Sequence, residues 1–389
     1  MRLRCCTLTM KAWLRVLKEP LKQILTDTRG TWDVPSFRAA VRTNFGKVLK
    51  CRTPALGSEV FGSDSEQKLV HHTCKSRACP SCGFRATVLW QRTQWAALPD
   101  IPYTGLTLTM PASLWDFFRL DRRLLKDLSA LGAAVIQQWA KSQHRSRVLI
   151  MVISHTFGRH LNFNPHLHIL VSSGGLNEMQ GCWVASMKYD KSLLMQQWRF
   201  AVITYLRAAN KMGLLVTEKS ESQLDVLFDM EEQAWWSTHL AVFKSKNHFL
   251  KYAGRYVRRP PIAQYRFTEI SKESVRFRTH DHRLDREVIT TYRPEDFIRA
   301  LGEHIHDHYA NSVRYFGLLA PRAKGALFAG MFSLLGQTPR AKPQRLSWAF
   351  SVQRHFNLNP LLDAKGQQMV WRGRICPTSS SRAASLATV

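Results

Sequence analysis

Residues 147–172 read RVLIMVISHTFGRHLNFNPHLHILVS. Two apolar runs, Arg147–His155 and His166–Ser172, flank a polar link that holds Gly158, Asn162 and Pro165. Apolar, β-rich runs joined in this way pair as an antiparallel hairpin. Side chains alternate between the two faces of a strand. His166 and His168 therefore emerge on one face, while Leu167 anchors the other. His155, on the partner strand, is the candidate to join them.

The elements on either side extend the hairpin into a layer. Ile101–Met110 (IPYTGLTLTM) alternates Leu106 and Leu108 with Thr107 and Thr109, a strand that Pro111 stops. Ser113–Gln143 and Lys188–Met212 have helical spacing, the first with Gly132 as an interruption and the second ended by Gly213. Thr238–Lys244 reads as a short strand, and His248–Val257 as a helix halted by Pro260-Pro261. The order strand, helix, hairpin, helix, strand, helix predicts an α+β fold, with an antiparallel sheet covered by helices on one face. Further on, Ala263–Arg278 reads as a hairpin, Glu287–Tyr292 as a strand and Pro294–His308 as a helix. Residues 1–50 read as mostly helical and 51–95 as loop-rich. Beyond Gly336 the chain reads as irregular, with a disordered last dozen residues.

The 389 residues carry 56 Lys+Arg against 28 Asp+Glu, a formal net charge of +28. Such an excess repels itself in a compact state and attracts a polyanion, which points to nucleic acid. No apolar run reaches the length of a membrane span. The N-terminus lacks the apolar stretch of a secretory signal. Cys74, Cys79 and Cys82 crowd within nine residues, which suggests a metal knuckle in a reducing compartment, and so a cytoplasmic protein.

The histidine pair has a chemistry that fits such a partner. Two imidazoles at fixed separation suit one metal ion, and His155 is the candidate third ligand. The other pairs, His280/His282 and those within His304–His308, lack a strand setting; the latter read as a solvated helical face. Tyr252 and Tyr256 are four residues apart and share a helix face. Tyrosine pairs at this spacing commonly pack into a core, but Lys251, Arg255, Arg258 and Arg259 surround these two. Arginines of this kind grip backbone phosphates. A phenol attacks a phosphate only when that phosphate is polarised, and a histidine-held metal supplies the polarisation.

Read in order, LTLTMP (106–111), HTFGRHLNFNPHLHILVSSGG (155–175), LKYAGRYVRRPPI (250–262) and EDFIRALGEHIHDHYANSVRYFGLLAPR (295–322) resemble the motifs of the two-tyrosine HUH transposases of rolling-circle insertion sequences. The resemblance runs from about Val48 to beyond Pro321. It implies a single-strand DNA endonuclease and strand transferase of HUH fold, ferredoxin-like or RRM-like. It places the metal, Mg2+ or Mn2+, on His166 and His168, with His155 as the further candidate, and the two nucleophiles on Tyr252 and Tyr256. The partners implied are single-stranded element ends and target DNA, with a host helicase, because GxxxxGK[ST] is absent from the chain.

His72-Thr-Cys74-Lys-Ser-Arg-Ala-Cys79-Pro-Ser-Cys82-Gly resembles half of that family's N-terminal zinc module. Zinc wants four tetrahedral ligands, and His72, Cys74, Cys79 and Cys82 supply four, with Cys51 as a substitute. The family's other Cys-x-x-Cys is missing: the segment here reads FGSDSEQK, and a C-terminal counterpart is replaced by NPLLDAKGQQM. The chain divides into a helical segment 1–50, a zinc-ribbon-like DNA-binding module 51–98, a nuclease domain 99–262, an extension 263–335 and a tail 336–389. Two other readings stay open at this point. One is a plasmid replication initiator or relaxase with the same chemistry; the other is a DNA-binding remnant that no longer cuts.

Overall fold

The structure, a computed structural model, describes residues 19–258, 260–281 and 285–377. Arg259, and the last dozen residues expected to be disordered, lie outside the described residues. The N-terminal part holds α1 (Pro20–Asp27), α2 (Arg29–Trp32), α3 (Ala39–Lys50), β1 (Ser58–Gly62), β2 (Gln67–His71) and α4 (Pro80–Ala97). The central part holds β3 (Tyr103–Leu108), α5 (Trp115–Leu120), α6 (Leu124–His144), β4 (Arg147–Phe157), β5 (Phe163–Asn177), β6 (Cys182–Val184), α7 (Lys191–Lys211), α8 (Glu221–Gln233), β7 (Thr238–Phe243) and α9 (Lys246–Ala253). Then follow β8 (Phe267–Ile270), β9 (Val275–Asp281), β10 (Arg286–Tyr292), α10 (Pro294–Glu303), β11 (Val313–Gly317), α11 (Pro321–Leu334), α12 (Trp348–Phe356) and β12 (Val370–Ile375).

The central sheet runs β11-β4-β5-β3-β7, with β6 paired to β5, and every pair in it is antiparallel. The fold is α+β, and β4 and β5 form the expected hairpin. Leu106, Leu108, Val148, Ile150, Val152, Leu167, Ile169 and Val171 turn to one face. There they share a core with Ile136 and Trp139 of α6 and with Trp198, Val202 and Leu206 of α7. Gly132 does not interrupt its helix. A Cβ there would lie 2.5 Å from Leu167 Cδ1 and 3.1 Å from Ile169 Cδ1, so the missing side chain lets α6 lie close on β5. The helical run breaks instead near Asp121, between α5 and α6.

Helices cover the opposite face as well. Tyr103, Leu149, Met151, Ile153 and Leu170 pack there against Trp90 of α4, Phe249 and Leu250 of α9, and Met331 and Phe332 of α11. The segment read as loop-rich contains α4, which opens with Cys79 at its N-cap and Pro80 in its first turn. The region read as an irregular tail contains α12 and β12, and β12 pairs with β1 to complete a three-stranded sheet β12-β1-β2. The helical segment, the knuckle and the extension also share one core. Leu25, Phe45, Cys51, Cys79, Cys82, Phe277 and Phe297 all belong to it.

Candidate active site

Register brings the three histidines together. His155 is directly opposite His166 across β4 and β5, and His168 sits between Ile153 on β4 and Thr107 on β3. One ring nitrogen from each of the three lies within 4.8 Å of the other two. The Nε2 atoms of His166 and His168 are 3.1 Å apart.

Neighbours fix which nitrogens are bare. His166 Nδ1 donates to the Asn164 carbonyl at 2.8 Å, and His155 Nε2 donates to the Tyr256 carbonyl at 2.9 Å. A carbonyl only accepts, so His166 Nε2 and His155 Nδ1 carry lone pairs. His168 Nδ1 meets the Thr107 hydroxyl at 3.1 Å. With that hydroxyl accepting, the two Nε2 lone pairs converge, an arrangement relieved by a shared proton or a cation. Burial pushes all three imidazoles below the usual histidine range, and the neighbouring imidazoles add to this at His155 and His168. Neutral imidazoles whose outer nitrogens are hydrogen-bonded form a donor set that fits a divalent metal.

The tyrosines reach this cluster from α9 and the turn that follows it. Ser245 caps the helix start by accepting from the Asn247 N–H at 3.2 Å. The helix stops at Ala253, four residues short of the expected end, and the chain tightens so that the Tyr256 N–H bonds the Ala253 carbonyl at 3.0 Å. At Gly254 a Cβ would lie 2.3 Å from Gln91 Nε2, so glycine permits this close contact with α4. The Tyr256 ring stacks on His168 with centroids 3.7 Å apart and planes at 26°. Tyr252 meets Tyr256 edge-on at 5.0 Å. Tyr252 is buried beside Phe243 and lies over Gly105, where a Cβ would stand 2.9 Å from its ring. Burial, then the hydrogen bond with Tyr256, pushes the Tyr252 phenol up, while Thr107 and Arg255 oppose that shift.

Arg255 lies 4.7 Å from the Tyr252 ring and 6.0 Å from the Tyr256 ring. Lys251, Arg255 and Arg258 are exposed. Thr107 and Gly105 were not singled out as site residues, although the alternation of β3 already placed them on the face of His168. Phe157, stacked on His155 at 4.7 Å, had no comparable signal. His304, expected on a solvated helical face, lies beyond the end of α10 and is buried. Its Nε2 donates to the Leu161 carbonyl at 2.9 Å.

The cysteine group is assembled differently from the expected set. Cys51, Cys74, Cys79 and Cys82 place their sulfurs within 4.8 Å of one another. Cys51–Cys82, Cys74–Cys82 and Cys79–Cys51 are each 3.7 Å apart. A tetrahedron with Zn–S bonds of about 2.3 Å has edges of about 3.8 Å, so the group fits structural zinc. Hydrogen bonds among the thiols lower Cys51 to about 7 and lower Cys82, and they raise Cys74 and Cys79. Full deprotonation of such a group calls for a cation. His72 is not a member. Its Nε2 bonds Glu59 at 2.9 Å and its Nδ1 bonds the Leu56 carbonyl at 3.0 Å. Glu59 also receives Trp371 Nε1 and Arg374 Nε, each at 2.8 Å. Cys51, the C-cap of α3, takes the fourth place.

Two modules of this kind, a four-cysteine group and a sheet bearing histidines beneath two tyrosines, define a class that the comparisons identify. Residues 149–326 match the family described as "Putative transposase", and residues 21–110 match the "Transposase zinc-binding domain". The chain is 32% identical over 326 residues to the "Transposase for insertion sequence element IS801" of Pseudomonas savastanoi pv. phaseolicola, covering 81% of this chain and 78% of that one. It is 25% identical over 319 residues to "Putative transposase y4qJ" of Sinorhizobium fredii, covering 78% and 80%. No solved structure matches at significance. The chain is an insertion-sequence transposase. It belongs to the IS801/IS91 family.

Proposed function

We propose that this transposase nicks and rejoins single-stranded DNA through 5′-phosphotyrosine intermediates, in rolling-circle transposition. The observation that carries the reading is the Tyr256 ring stacked on His168, with Tyr252 against Tyr256. A divalent ion such as Mg2+ or Mn2+ on His155, His166 and His168 would polarise a phosphate oxygen. The tyrosine Oη attacks phosphorus and gives up its proton. The P–O3′ bond breaks, and the departing oxygen takes a proton to become a 3′-hydroxyl. The bond is exchanged rather than hydrolysed, so no nucleoside triphosphate is consumed. The second tyrosine, or the freed hydroxyl, carries the return transfer into target DNA.

Lys251, Arg255 and Arg258 hold the strand by its phosphates, and the four-cysteine module acts in DNA binding. Unwinding falls to a host helicase, with the protein working at the nucleoid in the cytoplasm. No described helix is long and apolar enough to cross a membrane. The test is incubation with labelled single-stranded element-end DNA and Mn2+. An SDS-stable adduct that disappears in the Tyr252→Phe/Tyr256→Phe variant is expected. Absence of any adduct favours the non-cutting DNA-binding reading.

A further inference from the structure

Between the cysteine module and the histidine cluster lies a cavity of about 550 Å³. Its walls include Lys47, Lys75, Arg77 and Arg258, facing Asp307 and His306. The carboxylate is already engaged: Asp307 pairs with Arg38, and Arg122 Nε lies 3.5 Å from it. Arg77 has no carboxylate partner among the described residues. Its Nη1 meets only the ring nitrogen of His306, at 3.4 Å. Its Nη2 is shut off from solvent with no hydrogen-bond partner. An arginine guanidinium is charged at neutral pH, and Arg258 in the same cavity wall carries a like charge. A charged N–H group shut off from solvent without a partner, with a like charge nearby, is costly unless an anion joins it.

The position of the cavity indicates which anion. Phe157 lines it and stacks on His155 at 4.7 Å, and Arg258 stands two residues beyond Tyr256. Lys75 and Cys74 line its other side, so it joins the zinc-type module to the reacting centre. We propose that Arg77 and Arg258 form a phosphate subsite that seats one backbone phosphodiester of the DNA strand next to the one being cut. The paired guanidinium N–H groups suit a phosphate geometrically. This proposal rests on the single-strand reading above. It adds to that reading a fixed anchor, supplied in part by the N-terminal module.

The test uses the full chain, a fluorescent single-stranded oligo-dT and constant Mn2+, with binding followed by anisotropy across a salt series. Each phosphate contact on a single strand contributes a slope of about 0.7 in log affinity against log salt. Arg77→Gln and Arg258→Gln should each reduce the slope by about that amount, while Arg77→Lys keeps it. Equal slopes for wild type and both glutamine variants overturn the proposal. If Arg77→Gln does not fold, Arg258→Gln, at an exposed position, decides by the same criterion. A second arm titrates inorganic phosphate against thermal melting. Protection of wild type but not of Arg77→Gln, with unchanged DNA slopes, would assign the cavity to free phosphate and sink the DNA subsite. The covalent-adduct assay is scored separately, so a failed nuclease reading is not confused with a failed subsite.

Discussion

The ring of Tyr256 lies face to face on the imidazole of His168, with centroids 3.7 Å apart. Its backbone carbonyl meanwhile accepts from His155 Nε2 at 2.9 Å. One residue thus brings a candidate nucleophile over one histidine and orients another. Tyr252 lies farther back, buried over Gly105 with its phenol pushed up by that burial.

Tyr256 is therefore expected to attack first. Tyr256→Phe should lower the first-strand adduct by roughly three orders of magnitude or more, the scale for removing a nucleophile. Tyr252→Phe should leave that adduct and block the second transfer. Gel quantification of both products separates the roles, and the reverse pattern would place Tyr252 first.

The Thr107 hydroxyl stands between His168 and Tyr252. Thr107→Val should weaken Mn2+ binding by about 10- to 100-fold, as loss of a partner behind a metal ligand does. Electron paramagnetic resonance of bound Mn2+ reads this directly. Unchanged Mn2+ affinity would reduce the threonine to a packing role.

Gly105→Ala would drive a methyl to 2.9 Å from the Tyr252 ring and 3.3 Å from Phe243. Stiff rings in a packed layer yield poorly, so a loss of about 1–3 kcal/mol is expected. Second-strand transfer should also fall more than first-strand cleavage. Urea denaturation and the transfer assay check the two halves. A more stable, fully active variant would contradict the close contact.

Purified protein should carry about one zinc per chain on Cys51, Cys74, Cys79 and Cys82. Cys51→Ser should lose most of it, and His72→Ala should keep it while weakening the Glu59 network. Metal analysis by mass spectrometry decides. Zinc loss in His72→Ala with retention in Cys51→Ser would restore the histidine to the ligand set.

Burial holds His304 down to about 4 against an ordinary 6.5. The Leu161 carbonyl opposes this and the charges of Arg122 and Arg38 add to it. Between these values the unfolded chain binds the proton and the folded chain does not. Stability should therefore be full above about pH 6.5 and fall as pH drops toward 4, by about 3 kcal/mol for this group. His304→Asn, which can still donate to Leu161, should flatten that slope in urea titrations at several pH values. An unchanged slope would point to other groups.

Local pattern already revealed much of this. The alternation in residues 147–172 defined β4 and β5 and put His166 and His168 on one face. Helical spacing found α7 within a few residues of its ends, and it found the end of α6, but it ran α5 and α6 together across Asp121. The crowded cysteines flagged a metal knuckle. The errors came where local signals competed. The cysteines drew a loop reading over α4 despite Pro80 in its first turn. The end of α9 was set by the packing of Gly254 on Gln91 rather than by Pro260. The polar stretch after Gly336 hid β12, whose partner β1 is some three hundred residues earlier in the chain.

By itself, then, the sequence determined the periodic elements, the basic charge and the residue types able to do the chemistry, because these depend on neighbours within a few positions. Only the tertiary structure decided that Cys51 rather than His72 closes the cysteine group. It also decided that Thr107 backs His168, that Tyr256 is the phenol on the metal-type cluster, and that Arg77 and Arg258 line one cavity. Each of these is a contact between segments distant in the chain, made by strand register and helix docking, and periodicity along the chain carries no record of such closures.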